Sequence, residues 1–246
     1  MNKLITAAAI SAGILLSTPA LARHMDVEII NLTNGLYFTP LLVAVHDDDT
    51  HLFQAGTMAS ASVQAMAEGG ELSGLIGDVE DAGGTYVANP ASGLLAPGED
   101  TTARIKVRGR HNTHLSITAM LLPTNDAFVG MDALPIPKKR GTYSYDIDAY
   151  DAGTEANDER VVGMAGGEPG VPGIPADPSG AGGCGGSGVT GADHNTTVHV
   201  HRGVIGDTVE NCDPNNLNTS DPNTSDLNTN VHRFKNPVAR VVITVK

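Results

Sequence analysis

Two short acidic stretches carry the side chains best suited to chemistry: Asp151-Ala-Gly-Thr-Glu155 and, upstream, Asn125-Asp126-Ala-Phe-Val-Gly130. Two carboxylates folded around a glycine form a compact oxygen-rich corner, and Asp126 adds a third from beyond a hairpin-sized interval. A hard cation such as calcium takes about six to eight oxygens at roughly 2.3–2.6 Å, from carboxylates, backbone carbonyls and water. Residue types alone leave two readings open. One is an oxygen-ligand cation site at Asp126, Asp151 and Glu155; the other is a solvated acidic turn. The neighbouring Asp146, Asp148, Asp158 and Glu159 suit shaping the local field better than coordinating directly.

Histidines offer a second kind of site. His46-Asp-Asp-Asp-Thr-His51 mixes imidazoles with carboxylates, and His199 and His201 fall on one face if 197–201 is a strand. Zinc or copper would use such nitrogens, but two ligands make a poor site without a third. His194 or His232 would have to supply it. Catalytic patterns are weaker. There is no G-x-S-x-G elbow, H-E-x-x-H pair or phosphate-cradling glycine loop. Two acids four residues apart serve a glycosidase only if they straddle a groove, and the chain has no tryptophan to floor one. A metal held by the three acids and activating water remains the enzymatic alternative.

The elements that must position these groups read mainly as strands. Met25–Ile30, Thr102–Arg108 and the closing Pro237–Val245 alternate apolar and polar residues, and Leu41–Val45 is a short apolar run. Leu115, Ile117, Ala119 and Leu121 repeat the alternation, which predicts a hairpin with Thr102–Arg108. Thr197–His201 is a further candidate strand. Thr57 or Ser60 can cap a helix with Val63, Met66 and Ala67 on one face, stopped by Gly69-Gly70. A second short helix is expected near 72–76. Strands separated by turn signals predict an all-β antiparallel sandwich with one or two short helices.

The first 22 residues have the pattern of an export signal: Lys3, the apolar run Leu4–Leu16, then Ala20-Leu21-Ala22 as a small-x-small cleavage site. The remainder, 23–246, fits one domain. No other run is long and apolar enough to span a bilayer. Lys and Arg number 15 against 28 Asp and Glu, so the net charge is −13. That balance disfavours a nucleic-acid partner, which needs a basic surface. The two cysteines, Cys184 and Cys212, would form one disulfide in an oxidising compartment, with free thiols as the alternative. Residues 165–193 are dense in Gly and Pro and read as a surface loop. Residues 213–230 repeat Asn, Thr, Ser and Asp and read as a turn-rich insertion. Asp221, Asn223 and Ser225 have alternating oxygen spacing there. The loop nevertheless lacks the glycine that a calcium hand needs, with Asp226 in its place.

Four stretches together resemble the spondin domain family, the domain of F-spondin and of many exported bacterial proteins. They are Phe53-Gln-Ala-Gly-Thr-Met-Ala-Ser-Ala-Ser-Val63 with Met66-Ala-Glu-Gly-Gly70, Asp126-Ala-Phe-Val-Gly130, Tyr150-Asp-Ala-Gly-Thr-Glu155, and Val238-Ala-Arg-Val-Val-Ile243. The resemblance implies an antiparallel β-sandwich similar to calcium- and phospholipid-binding domains. It implies calcium held by Asp126, Asp151 and Glu155, the last a Glu where animal members have Asp. The absence of tryptophan departs from those members. The expectation is therefore an exported, non-enzymatic, calcium-binding or adhesion module, located in the periplasm, on the cell surface or outside the cell. Its partner would be an envelope or extracellular protein, a glycan or a lipid surface. The alternative is a purely structural ion, with the partner surface elsewhere, for instance on the Arg104, Lys106, Arg108 face.

Overall fold

Alternating apolar residues at the two ends of the described chain pair with each other and frame the molecule. The computed structural model describes residues 23–107, 111–157, 159, 195–206, 225 and 227–246. The signal-like segment, Cys184, Cys212, His194, the Gly/Pro stretch and most of the Asn/Asp-rich repeat, including Asp221 and Asn223, lie outside these residues. In chain order the elements are β1 (Arg23–Asn31), β2 (Tyr37–Phe38), β3 (Leu42–His46), α1 (Ala61–Gly69), α2 (Ser73–Asp81), β4 (Thr85–Ala88), β5 (Asp100–Val107), β6 (His114–Leu122), β7 (Ala127–Pro135), β8 (Gly141–Asp151), β9 (His199–Val200) and β10 (Ala239–Val245).

All strand pairs are antiparallel, in the order β4-β3-β6-β7-β8-β10-β1-β5, with β2 on β6 and β9 on β8. The path folds into two layers because β8 changes partner along its length. Gly141–Ile147 pair with β10, whereas Asp148–Asp151 pair with β7. The main core lies between the layers. It includes Val27 and Ile29 of β1, Val43 and Val45 of β3, Ile117 and Ala119 of β6, and Val241 and Ile243 of β10. A second core lies on the outer face of the β3–β6–β7 layer, where Leu42, Ala44 and Phe128 meet Val63, Met66, Leu75 and Val79 of the helices. All five residues of β3 are therefore buried. The fold is the expected all-β antiparallel sandwich with two short helices.

Local chemistry accounts for the first helix. Ser60 Oγ accepts from Val63 N at 3.2 Å, and Gly70 ends the helix in the left-handed region at φ 67°. The second helix starts at Ser73, not Leu72, and runs further, to Asp81. Two other expectations need correction. β5 does not form a hairpin with β6: it pairs with β1, while β6 lies between β3 and β7. Period-two alternation identifies a strand but not its partner, and both faces of β6 are covered. The expected strand 197–201 is a strand only at His199–Val200.

Candidate functional site

The turn between β6 and β7 and the loop after β8 meet at one end of the sandwich. Thr124 shapes the turn. Its hydroxyl donates to the Leu121 carbonyl at 2.6 Å and accepts from Ala127 N at 3.2 Å. The β7–β8 register sets Ala127 opposite Asp151, and Ala152 N donates to Asp126 O at 3.2 Å. Asp126 and Asp151, distant in sequence, are thereby fixed as neighbours by strand pairing.

Each carboxylate is held by backbone donors of the Ala-Gly-Thr-Glu loop. Asp126 Oδ2 accepts from Thr154 N at 2.8 Å, Glu155 N at 3.1 Å and Thr154 Oγ1 at 3.2 Å. Asp151 Oδ1 accepts from Gly153 N at 2.8 Å, and its Oδ2 accepts from Asn157 Nδ2 at 2.6 Å. Gly153 has φ 70°, and a Cβ there would stand 2.7 Å from the Thr196 carbonyl carbon. Only glycine meets both demands. The Glu155 carboxylate turns toward Asn125, whose Nδ2 lies 3.4 Å from Glu155 Oε2.

Electrostatically the pair is under load. Asp126 is fully buried, and its Oδ1 has no hydrogen-bond partner among the described residues. Burial, then the charge of Asp151, push its carboxyl up to about 6, against the pull of the loop N–H groups. Asp151 is also buried. His199 lies beside it, with Nε2 3.6 Å from Asp151 Oδ2. A carbonyl only accepts, so the 2.7 Å contact of His199 Nδ1 with Thr197 O places a proton on Nδ1. Among the described residues no three His, Cys, Asp or Glu side chains converge tightly enough to form a ready metal-ligand cluster. Asp126 and Asp151 are brought together; Glu155 joins them through its backbone N–H, while its carboxylate faces Asn125.

Three supporting residues stand outside the ligand set that the sequence suggests. Asn125 bridges both ways, because its Oδ1 also accepts from Glu159 N at 3.1 Å. Asn157 holds Asp151. Glu159, expected only to shape the field, is buried; it accepts from Ile205 N at 2.6 Å, Gly206 N at 2.9 Å and the Ser225 hydroxyl. Asp146 is engaged elsewhere, in a two-pronged pair with Arg240 at 2.7 and 3.1 Å.

The histidines do not assemble as one centre. His46 is buried, with Nδ1 2.7 Å from Asp47 O and Nε2 2.7 Å from Ser116 Oγ. Burial lowers its pKa. His51 pairs with Asp132 at 2.5 Å, and Asp132 also accepts from Leu52 N at 2.7 Å and Ser116 Oγ at 3.3 Å. The Ser, His and Asp types are those of a hydrolytic triad, but the wiring differs. Ser116 is fully buried, and the second nitrogen of His46 goes to a carbonyl instead of the carboxylate. His201 accepts from Gly203 N at 2.9 Å and packs its ring on Phe234, while His232 accepts from Asn228 N at 2.9 Å. His199 and His201 thus take separate roles, and among the described histidines His199 reaches the acidic pair.

Comparison with known proteins places these elements in context. The model of the family described as Spondin_N matches residues 31–159. That range holds the Phe53, Asp126 and Asp151 motifs and ends before the closing strand. Human Spondin-2 is 28% identical over 126 residues, covering 48% of this chain and 38% of that protein. The chain therefore spans well under half the length of this relative. No helix among the described residues is long and apolar enough to cross a membrane.

Proposed function

The chain belongs to the Spondin_N family, and from that premise we propose that it is an exported, non-enzymatic binding module whose recognition loops are ordered by calcium. The observation that carries this reading is Asp126 Oδ1, a buried carboxylate oxygen with no hydrogen-bond partner among the described residues, in a side chain whose charge is opposed by that of a second buried carboxylate, Asp151. An unmet acceptor in a low-dielectric site is costly. A divalent cation is the ligand that turns that cost into binding energy. The donor set suits a hard cation: carboxylate oxygens of Asp126 and Asp151, with Glu155 in the same loop. Asp126 and Asp151 would hold the ion, and Glu155 would join by turning from Asn125.

When bound, the ion supplies charge neutralisation. The chain's own groups supply the rest. Thr154 and Glu155 N–H groups hold one oxygen of Asp126, so its other oxygen keeps one direction. Gly153 and Asn157 fix Asp151. Asn125 ties the turn to the loop that runs on to Glu159. Neutralising the pair tightens these loops as a unit, and the ordered end of the sandwich presents the surface to an extracellular partner. Calcium titration followed by thermal melting tests this. Full-length protein should melt higher with calcium, and the rise should vanish in Asp126→Asn and in Asp151→Asn. An unchanged melting temperature in the wild type would remove the site.

A further inference from the structure

His199 differs from His46, His201 and His232 in how its ring nitrogens are used. Its Nδ1 donates to the Thr197 carbonyl at 2.7 Å. In the neutral ring Nε2 therefore carries a lone pair and no proton. That lone pair stands 3.6 Å from Asp151 Oδ2, itself an acceptor, and the spacing is too long for a hydrogen bond. His46 has the same carbonyl-held Nδ1, but its Nε2 is engaged by the Ser116 hydroxyl at 2.7 Å. His201 and His232 use Nδ1 as an acceptor, from Gly203 N and Asn228 N.

Strand pairing carries this nitrogen to the acidic pair. β9 adds to β8 with His199 opposite Asp151, and β7 sets Ala127 opposite the same residue. Asp126, Asp151 and His199 thus stand at one end of three adjacent strands: just before β7, at the end of β8 and at the start of β9. Both aspartates are buried, and the His199 side chain is 30% exposed. Asp126 Oδ1 has no hydrogen-bond partner among the described residues. The Spondin_N match ends at residue 159, so the imidazole is brought to the pair by chain beyond the matched segment.

We propose that His199 Nε2 is a further ligand of the cation site at Asp126 and Asp151, and that through it the site also takes a borderline first-row ion of the zinc class, more tightly than calcium. The inference rests on the reading of the two aspartates as a cation site. Calcium is held by oxygens alone, whereas imidazole nitrogen suits zinc. In a tetrahedral zinc site, bonds of about 2.0–2.2 Å set neighbouring ligand atoms roughly 3.4 Å apart. The 3.6 Å between Nε2 and Oδ2 is close to that spacing. The Thr197 carbonyl is the outer partner that a metal-bound imidazole uses: it fixes the tautomer and the ring plane and makes Nε2 a better donor of its lone pair. Gly153 N and Asn157 Nδ2 hold the Asp151 carboxylate in the same way. Among the described residues the three side chains do not yet form a closed cluster. His199, partly exposed on a two-residue strand, is the member with room to close on the ion.

The probes are zinc and calcium, added separately to full-length protein at neutral pH after chelator treatment. Affinity is read by titration calorimetry, melting temperature by thermal scan, and ligation by the histidine ¹⁵N spectrum. His199→Asn keeps a donor for the Thr197 carbonyl and removes the nitrogen that faces Asp151. Zinc should move the His199 Nε2 resonance, which is assigned by its loss in His199→Asn. Zinc affinity should fall at least about tenfold in that variant, while calcium affinity stays within about twofold. In Asp151→Asn the zinc-induced Nε2 shift should vanish, a readout that holds even if His199→Asn does not fold. The proposal is overturned if zinc leaves that resonance in place, if His199→Asn binds zinc as the wild type does, or if zinc and calcium affinities fall together in it, which marks a structural role. Calcium binding without any zinc effect overturns this inference and leaves the calcium reading standing. Zinc binding through His199 without a calcium effect overturns the calcium reading alone. A wild type that neither ion stabilises overturns both.

Discussion

Asp126 is the residue on which the acidic site turns, and its protonation has a readable sign. Its folded-state pKa of about 6 lies above the ordinary 3.8. The calcium-free folded protein therefore holds that proton more tightly than the unfolded chain. The group carries no penalty below about pH 4. The penalty grows as pH rises through the window to 6 and is complete above it. A shift of about two units corresponds to a destabilisation on the order of 3 kcal/mol at neutral pH. Asp126→Asn keeps an oxygen for Thr154 and Glu155 and removes the charge. In chelator, its melting temperature should match the wild type near pH 4 and exceed it above pH 6. With calcium at a hundredfold excess over its dissociation constant, the gap at neutral pH should close. A variant less stable than the wild type in chelator at pH 7 would show that the carboxylate is satisfied in some other way. Asp126, Asp151 and Glu155 were legible in the sequence because acids around a glycine are a local pattern. Asn125, Asn157 and Glu159 were not, because a lone amide or acid in a loop looks the same whether it faces water or, like Glu159, is buried on two backbone N–H groups.

Strand pairing decides what these residues can do, and the strands differ in how plainly the sequence shows them. β1, β5 and β10 alternate cleanly, and the alternation predicts all three. β8 alternates just as well, with Tyr143, Tyr145, Ile147 and Ala149 on one face. Its other face carries the acids Asp146 and Asp148, whose charge is the more prominent feature of the segment. β7 carries no period-two signal, because its first five residues are all buried. Gly130, the last residue of the Asp126-Ala-Phe-Val-Gly130 stretch, is a strand residue. It is small because the Phe53 ring lies against it: a Cβ there would meet Phe53 Cζ at 2.5 Å and Tyr150 Cδ2 at 3.0 Å. Phe53, Phe128 and Tyr150 form one aromatic cluster, with ring centroids 4.9 to 5.7 Å apart. This explains why an aromatic and a glycine far apart in sequence belong to one pattern. Gly130→Ala should cost about 1–3 kcal/mol by overpacking, measured by urea unfolding. Phe53→Leu in the same background should recover part of it; no recovery would place the strain elsewhere. At α1, Ser60→Ala should cost about 1 kcal/mol through the lost cap.

At the scale of the molecule, one end of the sandwich is built from segments that strand pairing alone does not join. Glu159 ties the loop after β8 to Ile205, Gly206 and Ser225, and Asn125 ties the same loop to the turn before β7. The acidic pair sits inside this net. A cation that binds only the folded state should therefore stabilise the whole fold, by about 2.7 kcal/mol at a hundredfold excess over its dissociation constant. For a domain of this size that is a rise in melting temperature of about 5–10 °C. Protons compete for Asp126, so the rise should shrink as pH falls through 6 and be nearly absent at pH 4. Glu159→Gln separates the net from the ion. It leaves one acceptor oxygen where the Ile205 and Gly206 amides use two, so one amide loses its partner; this should cost about 1–3 kcal/mol, with faster hydrogen exchange at that amide. It leaves Asp126 and Asp151 untouched, so calcium should still raise its melting temperature. If calcium no longer does so in Glu159→Gln, the ion is held by the assembled loops as a whole and not by the two aspartates that strand pairing brings together.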